Sequence, residues 1–140
     1  MIIETNNRKN RTSMQMINSL QPDEIFVFGS NLHGHHGGGA AQMAKERWGA
    51  IWGQGVGLQG QTYAIPTMHG GVDLIKPYIN DFIEFAKSHP EKIFLVTEIG
   101  CGIAGFTPQE IAPLFNDAVN IENIRLPQRF WEVLDSKNQQ

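Results

Sequence analysis

Residues 25–28 read Ile-Phe-Val-Phe without a break and stop at Gly29. An apolar run this short is too brief for a buried helix and lacks the alternation of a half-exposed strand. It is the pattern of a strand covered on both faces, as central parallel strands are. "KIFLVTEIG", residues 92–100, repeats the pattern and again ends on glycine. Two such strands require helices on both sides of a sheet.

Helical signals follow each strand. "AAQMAKERW" places Ala40, Met43, Ala44 and Trp48 on one face and stops at Gly49. "TYAIPT" reads as a shorter strand, and "DLIKPYINDFIEFAKSHP" as a helix capped by Asp73, with Leu74, Ile75, Tyr78, Ile79, Phe82, Ile83 and Ala86 facing inward and Pro77 near its first turn. In "TPQEIAPLFNDA" Thr107 is the cap, Pro108 the first helical residue and Glu110 the partner in a capping box, while Pro113 should kink or shorten the helix. "NIRLP" gives a last strand and "PQRFWEVL" a last helix. "TSMQMINSLQPD" reads as one short helix capped by Thr12 or Ser13. The opening "MIIETNNRKNR" suits a tail, a short edge strand or an arm on a partner, and residues 135–140 a second tail. Strands alternating with helices make an α/β sandwich with a mixed, mostly parallel sheet.

With 140 residues, 41% of them hydrophobic, the chain suits one core and one domain, 1–140. A net charge of -3 argues against duplex nucleic acid, leaving only the local patch Arg8-Lys9-Asn10-Arg11. The single Cys101 excludes an intramolecular disulfide, and no apolar run approaches a signal peptide or a membrane span, so a cytoplasmic protein is expected.

In such sheets ligands sit beyond the carboxyl ends of the strands, and both loops there are rich in glycine. The first, Gly29 to Gly39, includes Ser30, Asn31 and the triplet Gly37-Gly38-Gly39 at the start of a helix, where free backbone amides attract anions. The second, Gly100, Cys101, Gly102, Ile103, Ala104, Gly105 and Phe106, precedes the Thr107 cap. Its glycines match G-x-G-x-x-G literally, but the third lies ahead of the cap and no acidic residue ends the next strand. Two anion-seeking loops on neighbouring strands would grip a diphosphate from both sides.

Other residues carry rival readings. His33, His35 and His36, with His69, could ligate a metal, but adjacent loop residues rarely converge, and no metal or other cofactor is expected. Histidines at the pocket mouth could instead meet phosphate. Cys101 is a nucleophile beside a helix start or a packing residue. Glu98, a carboxylate in an apolar strand, is a general base with a histidine, or is held by backbone amides. Gln54, Gln59 and Gln61 either read a base edge or decorate a mobile loop.

"DEIFVFGSN" followed by "GGGAA" resembles the first signature of macro domains, and "EIGCGIAGFTPQEIAPLF" their second. The "IGCGIAG" wording is most similar to the branch that includes the terminal ADP-ribose protein glycohydrolase, and also to short phage-associated proteins of macro-like fold. The likeness spans about Asp23 to Trp131. It implies a three-layer α/β/α sandwich that binds ADP-ribose or a related nucleotide diphosphate. Asn31 would contact the distal ribose beside Gly37, Gly38 and Gly39. Residues 100–105 would wrap the diphosphate, with Phe106 near the distal sugar or else stapling the helix start. Two positions depart: Ala40-Ala41 follows the triplet and Ala104 the second loop, where the hydrolytic members carry acids. No aspartate in "QMINSLQ" matches the one that reads adenine. Any hydrolysis of ADP-ribosyl groups would therefore rest on Asn31, Glu98 or His35. The alternatives are a nucleotide or phosphoribosyl hydrolase using Glu98 and a histidine, and a non-catalytic interaction module.

Overall fold

A computed structural model describes residues 8–138 of the chain. The strands are β1 (Thr12–Ser13), β2 (Glu24–Ser30), β3 (Gly57–Gln59), β4 (Thr62–Pro66), β5 (Ile93–Val96) and β6 (Ile124–Pro127). The helices are α1 (Gly39–Trp48), α2 (Val72–Lys87), a short α3 (Pro108–Ile111) and α4 (Gln128–Asn138). The strands form one sheet in the order β1-β6-β5-β2-β4-β3, parallel throughout except for the edge pair β3 and β4. This is the α/β/α sandwich with a mixed, mostly parallel sheet.

The unbroken apolar run of β2 has its cause in the two layers it serves. Successive side chains of a strand point to opposite faces. Ile25 and Val27 enter a core with Ile65, Phe94, Val96 and the apolar faces of α2 and α4. Phe26 and Phe28 enter a second core with Ala44, Ala64 and Leu95, against which Trp48 packs. Truncating a buried phenylalanine such as Phe28 to alanine costs about 3–5 kcal/mol.

The helix signals hold in different degrees. Gly49 ends α1 in the left-handed conformation, φ 90°, and its amide donates to the Ala44 carbonyl. Thr107 and Glu110 form the full capping box, and Pro113 turns the helix after Ile111 into a 3-10 segment, Ala112–Ala118. α2 begins two residues earlier than expected: Gly71 is its cap and Asp73 lies in the first turn, where a carboxylate favours the helix dipole without capping it. Leu74, expected inside, is 56% exposed.

Residues 12–23 do not form the expected helix. Thr12 and Ser13 pair with Leu126 and Pro127 as an edge strand. The Ser13 hydroxyl donates to the Val96 carbonyl at 2.7 Å, and Thr12 to Arg8 at 2.6 Å. Both hydroxyls are thereby committed away from the cap role, and beyond them Met14 and Met16 face outward while Ile17 is buried. The tail expected over residues 1–11 lies partly outside the described residues. Within them, Arg8–Arg11 is a 3-10 turn. Arg11 donates to the Ile124, Val119 and Ala118 carbonyls, and Arg8 pairs with Asp135 at 2.9 Å over the face of Trp131. The two arginines of the basic patch are thus spent within the fold, and Asp135 belongs to α4. No helix among the described residues is long and apolar enough to cross a membrane.

Candidate functional site

From β2 the chain enters α1 on one face of the sheet; from β4 it enters α2 on the other and returns through β5 on the far side of β2. Such a reversal leaves a crevice beyond the carboxyl ends of the central strands. A cavity of about 370 Å³ lies there. Of the residues singled out in the sequence it is lined by Gly29, Ser30, Asn31, His35, Gly38 to Ala41, Glu98, Gly100, Gly102, Ile103 and Ala104. Gly37, Cys101, Gly105 and Phe106 do not line it. A smaller cavity, about 280 Å³, lies against residues 12–19 with Glu24, Leu95 and Arg125, and holds none of the residues in either glycine loop.

The cleft is framed by backbone donors. α1 has no side-chain cap and no acid in its first turn. Among the described residues, the amides of Gly39, Ala40 and Ala41 find no hydrogen-bond partner, as expected for a first helical turn. Across the cleft, the consecutive amides of Gly102, Ile103 and Ala104 are likewise unpartnered, while Gly105 donates to Gly102 and Phe106 to Gly100 to fix the loop. Successive free amides in a turn form a concave anion seat. Gly100 must be glycine: φ is +77°, and a Cβ there would meet Ile111 at 3.0 Å.

The first loop is braced by side chains expected to meet ligand. The Asn31 amide spans its own turn, accepting from the His35 amide at 3.0 Å and donating to the His35 carbonyl at 3.1 Å. The Ser30 hydroxyl donates to the Gly55 carbonyl. There the two segments touch backbone to backbone: a Cβ on Gly55 would lie 2.1 Å from the Asn31 oxygen, and one on Gly34 2.3 Å from the Gln54 nitrogen.

The histidines separate into different roles. His36 is buried, edge-on to Phe28, with Nε2 facing two acceptors, the Gln54 carbonyl at 3.0 Å and Gln59 Oε1 at 3.2 Å. That pairing assigns the proton to Nε2, and Nδ1 has no partner among the described residues. It is a core residue, not one at the mouth. His69 accepts from the Leu32 amide at 2.6 Å. His33 is exposed between His35 and His69, at ring-centroid distances of 5.6 and 6.0 Å. Among the described residues no group of three His, Cys, Asp or Glu side chains is placed to hold a metal ion.

Glu98 lines the cleft but is engaged: Arg129 donates Nε to Oε2 at 2.8 Å and Nη2 to Oε1 at 2.6 Å. These hydrogen bonds hold its carboxyl below the ordinary carboxylate range against the opposing effect of burial, which weakens it as a base. Cys101 moves the other way. Burial, then the charge of Glu98, pushes its thiol up to about 11, so it is a packing residue rather than a nucleophile. Phe106 packs on the core and, with Ile111, crowds Gly100 from the two staple positions of the Thr107 cap.

The glutamines are scaffold, not readers of a base. Gln59 is 3% exposed; its Oε1 accepts from the Ile51 amide at 2.6 Å and its Nε2 donates to the Gln54 and Gly57 carbonyls. Gln54 donates to Val56 and Leu58, and Gln61 to Gln21 and Glu24. Sequence reasoning missed Thr67, Met68, Thr97 and Ile99 in the cleft wall. Gly29 and Thr67 meet because β2 and β4 run in register to Ser30 and Pro66, and a Cβ on Gly29 would sit 3.3 Å from the Thr67 hydroxyl. The signal available was Thr67 itself, a polar residue directly after an apolar strand.

No protein-family model, curated protein or solved structure matches the chain.

Proposed function

We propose that the cleft binds ADP-ribose or a related nucleotide diphosphate, with the diphosphate between the two glycine loops. One observation carries the reading: two runs of three unpartnered amides, Gly39 to Ala41 and Gly102 to Ala104, sit on opposite loops of one cavity. Donors of this kind suit an anion with oxygens on both sides. The resemblance of both loops to the signatures of macro domains directs the choice towards ADP-ribose.

Binding, rather than turnover, is the activity the residues favour. Ala41 and Ala104 line the cleft where hydrolytic macro domains carry acids, and neither can activate water. Glu98 is tied to Arg129, and the Asn31 amide is committed to its own turn.

The test is a pair of charge insertions. Gly38 has φ -155° and Gly102 lies outside the left-handed region. A Cβ meets only Ile103 at 3.6 Å at the first and nothing within 4 Å at the second. Gly38→Glu and Gly102→Glu should therefore fold normally and abolish the thermal stabilisation by ADP-ribose, which for the wild type at 100 times its dissociation constant is about 2.7 kcal/mol. If either variant folds and binds as the wild type does, the shared site is wrong.

A further inference from the structure

One exposed element beside the cleft is absorbed by neither the fold nor the anion site. Trp52 is 54% exposed, an unusual position for so large an apolar ring in a tight turn. It is also held in place. The turn is closed by the Gln54 amide on the Ile51 carbonyl at 3.0 Å, and Gly53 donates to Gly34 in the first glycine loop at 2.9 Å. Below the turn, buried Gln59 bonds the Ile51 amide. The ring of His35 lies almost parallel to the indole, at 11° and 4.9 Å between centroids, and His35 itself lines the cleft. Lys45, exposed on α1, brings its ammonium within 5.5 Å of the indole centroid.

An exposed indole fixed by backbone hydrogen bonds and stacked face to face on an imidazole leaves only the outer faces of the pair open, a π surface already ordered before any ligand arrives. Stacking on such a surface is how proteins hold nucleobases without reading their edges, because every base has a π face. The three glutamine amides nearby are spent on backbone carbonyls, so edge reading is not what this wall offers. We propose that the His35 and Trp52 stack is the aromatic subsite of the cleft, taking the planar heterocycle at one end of a nucleoside diphosphate whose phosphates lie on the glycine loops. This rests on the anion-site reading above. The subsite selects for an aromatic ring and discriminates little between bases.

The experiment uses the whole chain and compares ADP, GDP, UDP and CDP with pyrophosphate, which has the same charged group and no ring. Calorimetry on wild type, Trp52→Ala and Trp52→Phe separates the terms. Removing a base-stacking aromatic weakens binding by about 5- to 150-fold. The expected result is a loss of that size for all four nucleotides in Trp52→Ala, restoration of most of it in Trp52→Phe, and unchanged pyrophosphate binding in both. Nucleotides should also quench tryptophan emission in wild type but far less in Trp52→Phe, a readout that needs no alanine variant to fold. Nucleotide affinity untouched by Trp52→Ala, or pyrophosphate weakened equally with the nucleotides, overturns the subsite and leaves the glycine-loop site standing. Wild type binding neither pyrophosphate nor any nucleotide overturns both.

Discussion

Replacing Gln59 with leucine removes the hub of the loop that carries Trp52 while keeping nearly the same volume. Four bonds disappear: those from the Ile51 amide and His36 Nε2, and those to the Gln54 and Gly57 carbonyls. They are not equivalent. The Gln54 carbonyl keeps His36 at 3.0 Å, and His36 keeps that carbonyl, so each loses only one of two partners. The Ile51 amide keeps none. Leaving a buried donor unpaired costs about 1–3 kcal/mol, and each ordinary bond lost about 0.5–1.5 kcal/mol. Because the Ile51 bond is only part-buried and the leucine gains some apolar burial, a total of roughly 3 kcal/mol follows. For a domain of this size that is a fall in Tm of about 10 °C. Urea titration should show the midpoint moving with the slope unchanged. Gln59→Glu should be worse at neutral pH, since it sets a carboxylate against two carbonyls. A Gln59→Leu protein within about 1 kcal/mol of wild type would refute the hub.

Two further outcomes are expected from the titrating groups. Cys101 should react slowly with iodoacetamide at pH 8, its rate climbing as pH approaches about 11, and a rate typical of a free thiol would contradict the half-buried setting near Glu98. Glu98, with its carboxyl depressed by Arg129, stabilises the fold above the ordinary carboxylate range and loses that contribution as pH falls through its lowered value; Glu98→Gln should flatten the acid side of the stability profile, and an unchanged profile would show the pair contributes nothing.

What the sequence displayed was local. The doubly covered strands, the stop at Gly49, the Thr107 capping box and the interruption at Pro113 each depend on residues a few positions apart, and each stands in the structure. The meeting of the two glycine loops followed from strand order, which the α/β alternation constrains strongly. What stayed hidden depends on distant partners. Glu98 read as a base or as a carboxylate held by backbone amides because its partner Arg129 lies 31 positions away, and Ser13 looked like a cap because Val96 lies 83 away. His36 shared a loop and a residue type with His33 and His35, yet Phe28 and Gln59 draw it into the core. The glutamines were polar residues in a glycine-rich stretch, and nothing in that stretch announces that their amides would be consumed by their own backbone.

The contact of Gly34 and Gly55 with the opposite segment bears on how this cleft can change. At both points even a methyl group would overlap backbone, at 2.3 and 2.1 Å. The spacing between the wall carrying Asn31 and the turn carrying Trp52 is thus set by hydrogen atoms alone, and it offers no series of small steps from alanine to larger residues. A descendant or a designer seeking a different guest would find that seam closed to gradual revision. Variation is left to side chains that already face solvent at the rim, such as Leu32, Met68 and Ile103, where size can be traded without parting the two segments.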